Sequence, residues 1–285
     1  MANAPAIVLD GDALAAQLRN EMRGEVAGLV ARGIAPKLVT VLVGENPASA
    51  RYIARKHADC AEVGIAVGDI RLPADSSATE LLGQIETLNA DPIVHGFMVQ
   101  LPLPDHLDAG EMLEAVSPAK DIDGLHPINL GRLVAGHPGL LPCTPSAVLA
   151  LLRAYDVPLA GANIAIIGRG TLVGRPLALL LSQPGIDATV TLLHRQSGDL
   201  NAVTRRADVV ISAAGQPDLV TAAMVRPGAA VVGVGISYVE GGMVSDVAEN
   251  VSEIAGWITP RHGSVGALTR AMLLRNLLLA AERVR

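Results

Sequence analysis

The 285 residues are half apolar, carry a formal net charge of −6 and include only five aromatic side chains. The acidic balance argues against nucleic acid as the main partner. The apolar runs are broken by Arg, Pro or Gly short of the roughly 20 residues a membrane span needs, so no membrane partner is expected.

Cores this poor in rings must be built from Ala, Val, Leu and Ile, which suits α/β layers with strands buried on both faces. Cys60 and Cys143 have neither metal-ligand spacing nor a disulfide framework around them and read as reduced thiols. Met1 to Leu18 lacks a basic stretch followed by an apolar one, so no secretory signal is expected. A soluble, cytoplasmic protein without a metal is the expectation.

In chain order, Leu38–Val43 reads as a short strand ending at Gly44, and Pro47–Gly64 as a helix. Ala66–Leu72 is strand-like, Ser77–Ala90 helical with Ser76 or Ser77 as N-cap, and Ile93–Val99 a third strand before Gln100-Leu101-Pro102-Leu103-Pro104. Between Ser117 and Pro145 turn signals crowd together (Ser-Pro, Asp-Gly, Gly-His-Pro-Gly, Pro-Cys-Thr-Pro) and read as a domain junction. A helix to about Tyr155 opens a second alternating series, with strands at Asn163–Ile167, Thr189–Leu193, Val209–Ser212 and Ala230–Val234. Such alternation implies parallel strands with crossover helices. Leu268–Val284 is an apolar terminal helix in need of a docking surface.

The strand at 163–167 runs straight into Gly168-Arg169-Gly170-Thr171-Leu172-Val173-Gly174-Arg175-Pro176. Glycines at 168, 170 and 174 permit a tight turn and close approach to a pyrophosphate. Pro176 suits the first turn of a helix whose N-terminus favours an anion. NAD-binding folds place an acid at the end of the next strand. Here stands His194-Arg195-Gln196-Ser197, and a cation there suits a 2′-phosphate, so NADP is the expected cofactor, with Arg169 as a further candidate contact.

Tyr52 and Lys56 lie four apart on one helical face, more than a hundred residues before this loop. A short-chain dehydrogenase has the opposite order, so the pair belongs to a different domain from the cofactor loop. A lysine against apolar walls loses hydration and its pKa falls, which lets it exchange protons near neutrality. Ser49, Gln100, Asp121 and Asp123 are grouped with the pair, Gln100 because it ends a parallel strand. Asp121 or Asp123 has an equally good reading as a turn former, and His57, His95 and His126 read as structural.

Val43-Gly44-Glu45-Asn46-Pro47-Ala48-Ser49-Ala50-Arg51-Tyr52-Ile53-Ala54-Arg55-Lys56 resembles the N-terminal signature of the bifunctional methylenetetrahydrofolate dehydrogenase/methenyltetrahydrofolate cyclohydrolase family. Val99–Pro104, Pro118-Ala119-Lys120-Asp121-Ile122-Asp123-Gly124, Pro142-Cys143-Thr144-Pro145 and the loop Gly168–Pro176 match in the same order. The resemblance implies a two-domain α/β fold and a homodimer with its site in the interdomain cleft. The expected fold is a Rossmann-type NADP-binding domain at 146–266, an α/β catalytic domain at 1–120 completed by a C-terminal helix at 267–285, and a junction at 121–145. It implies oxidation of 5,10-methylenetetrahydrofolate with NADP and hydrolysis of the methenyl product. Lys56 would be the acid/base, Tyr52 its aligning partner, Gln100 its tuner and Asp123 a hydrogen-bond partner of the pterin. The resemblance further implies folate contacts at Ser49, Leu101, Pro102, Gly263 and Val265, and cofactor contacts at Gly168, Arg169, Gly170, Val173, Gly174, Arg195, Gly215 and Ile236.

Departures cluster at Pro260-Arg261-His262-Gly263-Ser264-Val265-Gly266-Ala267-Leu268-Thr269, where the family has Pro-Val-Pro-Gly-Gly-Val-Gly-Pro-Met-Thr. Losing two prolines and a glycine is expected to loosen this loop. The family's Gly-Asp-Val stands here as Ser245-Asp246-Val247. A paralogue with one activity weakened, or a non-catalytic NADP- or folate-binding protein, remains the alternative at this point.

Overall fold

The computed structural model describes residues 5–137, 139–239 and 242–283. Pro138 of the expected turn cluster, Met1–Ala4 and the last two residues, Val284 of the expected terminal helix among them, lie outside the described residues. The chain begins with β1 (Ile7–Val8), α1 (Gly11–Ala31), β2 (Lys37–Val43), α2 (Pro47–Val63), β3 (Ala66–Leu72), α3 (Ala78–Ala90) and β4 (Gly96–Val99). Short helices α4 (Ala109–Glu114) and α5 (Pro127–Val134) lead to α6 (Cys143–Ala154). Then come β5 (Asn163–Ile167), α7 (Gly174–Leu181), β6 (Thr189–Leu193), α8 (Leu200–Thr204), β7 (Val209–Ser212) and β8 (Ala230–Gly233). The hairpin β9 (Ile236–Val239) and β10 (Gly242–Ser245), β11 (Trp257–Ile258) and α9 (Val265–Arg283) complete the order.

Two compact units result. One holds residues 16–143 and the segment from Arg270; the other holds the chain up to Ala15 with Thr144–Thr269. The first unit carries a three-stranded sheet, β3-β2-β4, all parallel. One of its apolar clusters gathers Val39, Val41, Leu81, Ile85, Phe97 and Met112. In the second, β1-β11-β8-β7-β5-β6 form a parallel sheet over a cluster of Ala, Val, Leu and Ile, with Met224. The aliphatic composition is thus used as strand-covering layers, and the fold class is the α/β one expected.

Residues 5–15 depart from the expected first domain. β1 adds to the edge of the six-stranded sheet by pairing in parallel with β11, and Ser264 Oγ donates to Leu9 O just beyond it. In the three-stranded unit the terminal helix α9 finds its dock. Asn276 Nδ2 donates to Ile122 O at 2.8 Å and Leu141 O at 2.7 Å. A Cβ on Gly96 would sit 2.2 Å from Ile122 Cγ2 and 2.9 Å from Leu277 Cδ1, so a bare backbone at the start of β4 is what lets helix and turn approach.

Parallel strands put every strand's C-terminal end on one edge of its sheet. In the unit with the six-stranded sheet that edge carries the segments following β5, β6, β7, β8 and β11, which contain Gly168, Arg195, Gly215, Ile236 and Gly263. In the three-stranded unit it carries the chain after β2 and β4, with Ser49 and Gln100 close behind.

Candidate active site

α2 is set by its ends. Asn46 caps it, accepting from Ala48 N at 2.9 Å and Ser49 N at 3.1 Å, with Pro47 in the first turn. Gly64 closes it in the left-handed region at φ 85°. Ser49, Ile53, Lys56, Cys60 and Val63 are buried at alternating spacings of four and three, which is the inward stripe of a helix. Lys56 therefore occupies a position where the pattern calls for an apolar side chain, and it is only 3 % exposed.

The contacts of its ammonium are informative. Nζ lies 4.4 Å from the centroid of the Tyr52 ring, within cation–π range. It donates to Met98 Sδ at 2.9 Å and reaches Gln100 Oε1 at 3.4 Å. Gln100 is itself oriented, because its Nε2 donates to Leu101 O at 2.7 Å; Ser49 Oγ approaches the same carbonyl at 3.4 Å. The Leu101–Pro102 bond is cis. Burial lowers the Lys56 pKa, with Asp123 opposing that shift. Burial raises the Asp123 carboxyl, with Lys56 opposing. Both groups are thus driven toward their neutral forms, the condition for exchanging a proton rather than locking an ion pair. Burial, aided by Asp123, pushes the Tyr52 phenol up to about 12.

Asp121 and Asp123 divide the labour that the sequence left open between them. Asp121 Oδ2 accepts from His126 N at 2.8 Å and Asn129 Nδ2 at 2.9 Å, so it organises the start of α5. Asp123 is held by its backbone, its carbonyl accepting from Cys143 N at 3.1 Å, and its carboxyl acts electrostatically on Lys56. Gly124 has φ 71°, and a Cβ there would lie 2.2 Å from the carbonyl carbon of Leu141; the Asp-Ile-Asp-Gly turn needs its glycine. Each of the three histidines has a structural partner: His57 with Thr40 Oγ1, His95 accepting from Lys37 N, and His126 capping α5 through Ile128 N.

In the unit with the six-stranded sheet the glycine loop has the expected close approaches. A Cβ on Gly174 would sit 1.8 Å from Gly168 O, and one on Gly168 would sit 2.4 Å from Ala213 O, whereas Gly170 faces open space. Val173 caps α7 without a side-chain hydrogen bond, and Arg169 and Arg195 are exposed. Exposed backbone before a helix N-terminus, with a cation rather than a carboxylate after β6, fits a dinucleotide carrying a 2′-phosphate.

Sequence reading missed Asp246, which is fully buried. Its carboxylate accepts from Ser212 Oγ and Ala214 N at 2.8 Å, Gly215 N at 3.1 Å and Gln216 N at 2.8 Å. Gly215 O in turn accepts from Ser237 Oγ at 2.9 Å, so one carboxylate and one hydroxyl shape the segments carrying Gly215 and Ile236. The 260–269 loop is also held rather than loose. Arg261 pairs with Asp218 at 2.8 Å, Ser264 N donates to Asp12 Oδ2 at 2.8 Å, and Gly11 N donates to Ser264 Oγ at 3.1 Å. These bonds restrain the loop at Arg261 and Ser264. Gly263 at φ 86° leaves room for the Asp12 carboxylate, and Val265 is buried at the start of α9.

Residues 9–123 match the model of the tetrahydrofolate dehydrogenase/cyclohydrolase catalytic domain, and residues 142–285 that of the same family's NAD(P)-binding domain. Among solved structures, the bifunctional methylenetetrahydrofolate dehydrogenase/cyclohydrolase of Campylobacter jejuni is 44 % identical, with 97 % of this chain and 99 % of that one covered at a TM-score of 0.95. The Trypanosoma brucei methylenetetrahydrofolate dehydrogenase-cyclohydrolase, solved with NADP cofactor and an inhibitor, is 38 % identical over 99 % of both chains at a TM-score of 0.92. A Bombyx mori methylenetetrahydrofolate dehydrogenase is 40 % identical over 97 % of this chain and 98 % of its own, at a TM-score of 0.93. With a Lys56 site in one unit and a glycine loop in the other, and with matches to both halves, the chain belongs to the tetrahydrofolate dehydrogenase/cyclohydrolase family.

Proposed function

We propose that the protein oxidises 5,10-methylenetetrahydrofolate to the methenyl form with NADP, and hydrolyses that product to 10-formyltetrahydrofolate. The observation that carries the hydrolytic half is Lys56, an amine 3 % exposed and gripped by Tyr52, Met98 and Gln100. A neutral amine accepts a proton as water adds to the methenyl carbon. Collapse of the resulting carbinolamine to the formyl group breaks a carbon–nitrogen bond and protonates the released ring nitrogen, with net loss of one proton. Lys56 carries these protons, Gln100 and Tyr52 aim its amine, and Asp123 hydrogen-bonds the pterin.

For the oxidation, NADP supplies the hydride acceptor. Gly168, Gly170 and Gly174 leave backbone room for its pyrophosphate, Arg195 offers a cation to its 2′-phosphate, and Val173, Gly215 and Ile236 line the same strand-end edge. Ser49, Leu101, Pro102, Gly263 and Val265 are assigned to the folate. A homodimer in the cytoplasm completes the reading, with sedimentation equilibrium as the check on its assembly.

The experiment is a spectrophotometric assay of methenyl formation and decay from methylenetetrahydrofolate, with NADP and NAD in parallel. Lys56→Ala is expected to lower hydrolysis by at least about a hundredfold, the usual scale of general acid–base catalysis, while methenyl formation persists. An undiminished hydrolysis rate removes the role of Lys56; binding of both ligands without turnover removes the enzymatic reading.

A further inference from the structure

Asp246 lies just beyond β10, and its carboxylate is seated under the chain that follows β7. Oδ2 accepts from Ser212 Oγ, Ala214 N and Gly215 N, and Oδ1 accepts from Gln216 N, at 2.8 to 3.1 Å. Successive backbone N–H groups converging on one anion form a nest, the kind of concavity that in other folds receives a phosphate. Gly215 makes the convergence possible. Its φ is 64°, and a Cβ on it would meet nothing within 4 Å, so this glycine serves conformation rather than space. At Gly235 the reverse holds, because a Cβ there would lie 2.1 Å from Asp246 Oδ2. The chain supplies the nest, the anion that fills it and the bare backbone that admits it.

This nest abuts the glycine loop. Ala213 N donates to Ile167 O at 2.7 Å, and a Cβ on Gly168 would sit 2.4 Å from Ala213 O and 3.3 Å from Ala214 N. A trans peptide points its N–H and C=O in opposite directions. Turning the N–H groups of residues 214–216 onto Asp246 therefore turns the carbonyls of Ala213, Ala214 and Gly215 away from it. Ala213 O comes to lie against Gly168, and Gly215 O accepts from Ser237 Oγ. Ala214, Gly215 and Gln216 are exposed, so it is the carboxylate rather than side-chain packing that holds the turn. On a bound dinucleotide Asp246 has two opposed effects. Its charge repels the phosphates, while its grip on the turn fixes the backbone beside their cradle. The hydrogen bonds spend the carboxylate's acceptors on the turn, and the geometric effect prevails.

We propose that Asp246 is a positioning residue for NADP: by filling the nest of residues 214–216 it fixes this turn against the glycine loop, and NADP binds less tightly without it despite the negative charge removed. This rests on the cofactor reading above. Titration calorimetry of NADP into the ligand-free, full-length protein is the test, with folding checked by circular dichroism. Asp246→Asn keeps the volume but sets an amide NH2 against N–H donors, and Asp246→Ala empties the nest. Both should lower NADP affinity at least about tenfold, the scale of leaving hydrogen-bond donors unmatched. Added formate, a carboxylate small enough for the space left in Asp246→Ala, should recover much of the loss. Formamide should not, and formate should leave the wild type unchanged. Should both variants misfold, Ser212→Ala frees the carboxylate to shift and should weaken NADP binding severalfold. Unchanged affinity in a folded variant overturns the proposal, and tighter binding does so by showing that charge prevails. A loss in Asp246→Ala that formate does not relieve also overturns it. If the wild type takes up no NADP, the cofactor reading itself fails and the proposal falls with it.

Discussion

With its pKa pushed up to about 12 by burial, the Tyr52 phenol keeps its proton at neutral pH. A sign follows for stability. Free tyrosine ionises near 10, so stability from the protonated phenol is complete below that value and is lost as pH rises toward 12. The buried Cys60 thiol, also pushed up to about 12, contributes in a neighbouring window. Tyr52→Phe should therefore flatten the alkaline fall in stability by roughly 1–2 kcal/mol between about pH 9 and about pH 11, read by urea unfolding; an unchanged slope contradicts the burial argument. Lys56 was legible in the sequence, because motif order and four-residue spacing separated it from the cofactor loop. Asp59 and Arg270 were not, since they meet across 211 positions and neither has a local signature. Asp246 left only a motif match, and its four donors come from a segment some thirty residues earlier.

The elements repeat this contrast on a larger scale. Strands at Asn163–Ile167, Thr189–Leu193 and Val209–Ser212 match the sequence reading end for end, because short apolar runs bounded by polar and turn residues leave little room for another register. β4 begins at Gly96, not at Ile93. Ile93 is 59 % exposed, and its N–H donates to Asp91 Oδ1 in a turn. Helix α1 carries no clear sequence signal because its buried stripe, Ala15, Met22, Val26 and Leu29, is diluted by alanines and by Gly24 and Gly28. The β9–β10 hairpin, short and largely unburied, carries no strong period either. The glycine loop gives the prediction at this scale. Gly174→Ala places a methyl where 1.8 Å separates it from Gly168 O, so loop and α7 must part. NADP affinity should fall at least about tenfold by calorimetry, equal to about 1.4 kcal/mol, with hydrolysis of supplied methenyltetrahydrofolate retained. Unaltered NADP affinity would show that this contact does not shape the cradle.

At the scale of the whole molecule the decisive fact is connectivity. Each unit is assembled from two separate stretches of chain, and the exchanges fall near Ala15, Cys143 and Thr269. A fragment of residues 16–143 lacks Asn276, Leu277 and Arg270, which hold the Asp123 turn, cover Gly96 and pair with Asp59. It should show little fixed tertiary structure by NMR, and a peptide spanning 265–283 added in trans should restore dispersion. A well-dispersed spectrum from the fragment alone would contradict this. The same thread order has a consequence during synthesis. Residues 16–143 leave the ribosome well before the segment that seals them, and at about 5–20 residues per second the delay is on the order of ten seconds. Throughout that interval the apolar bed for α9 stands open to chaperones and to other nascent chains. The unit first to be translated is thus the last to close, and translation speed between codons 143 and 270 becomes a variable in the yield of active protein.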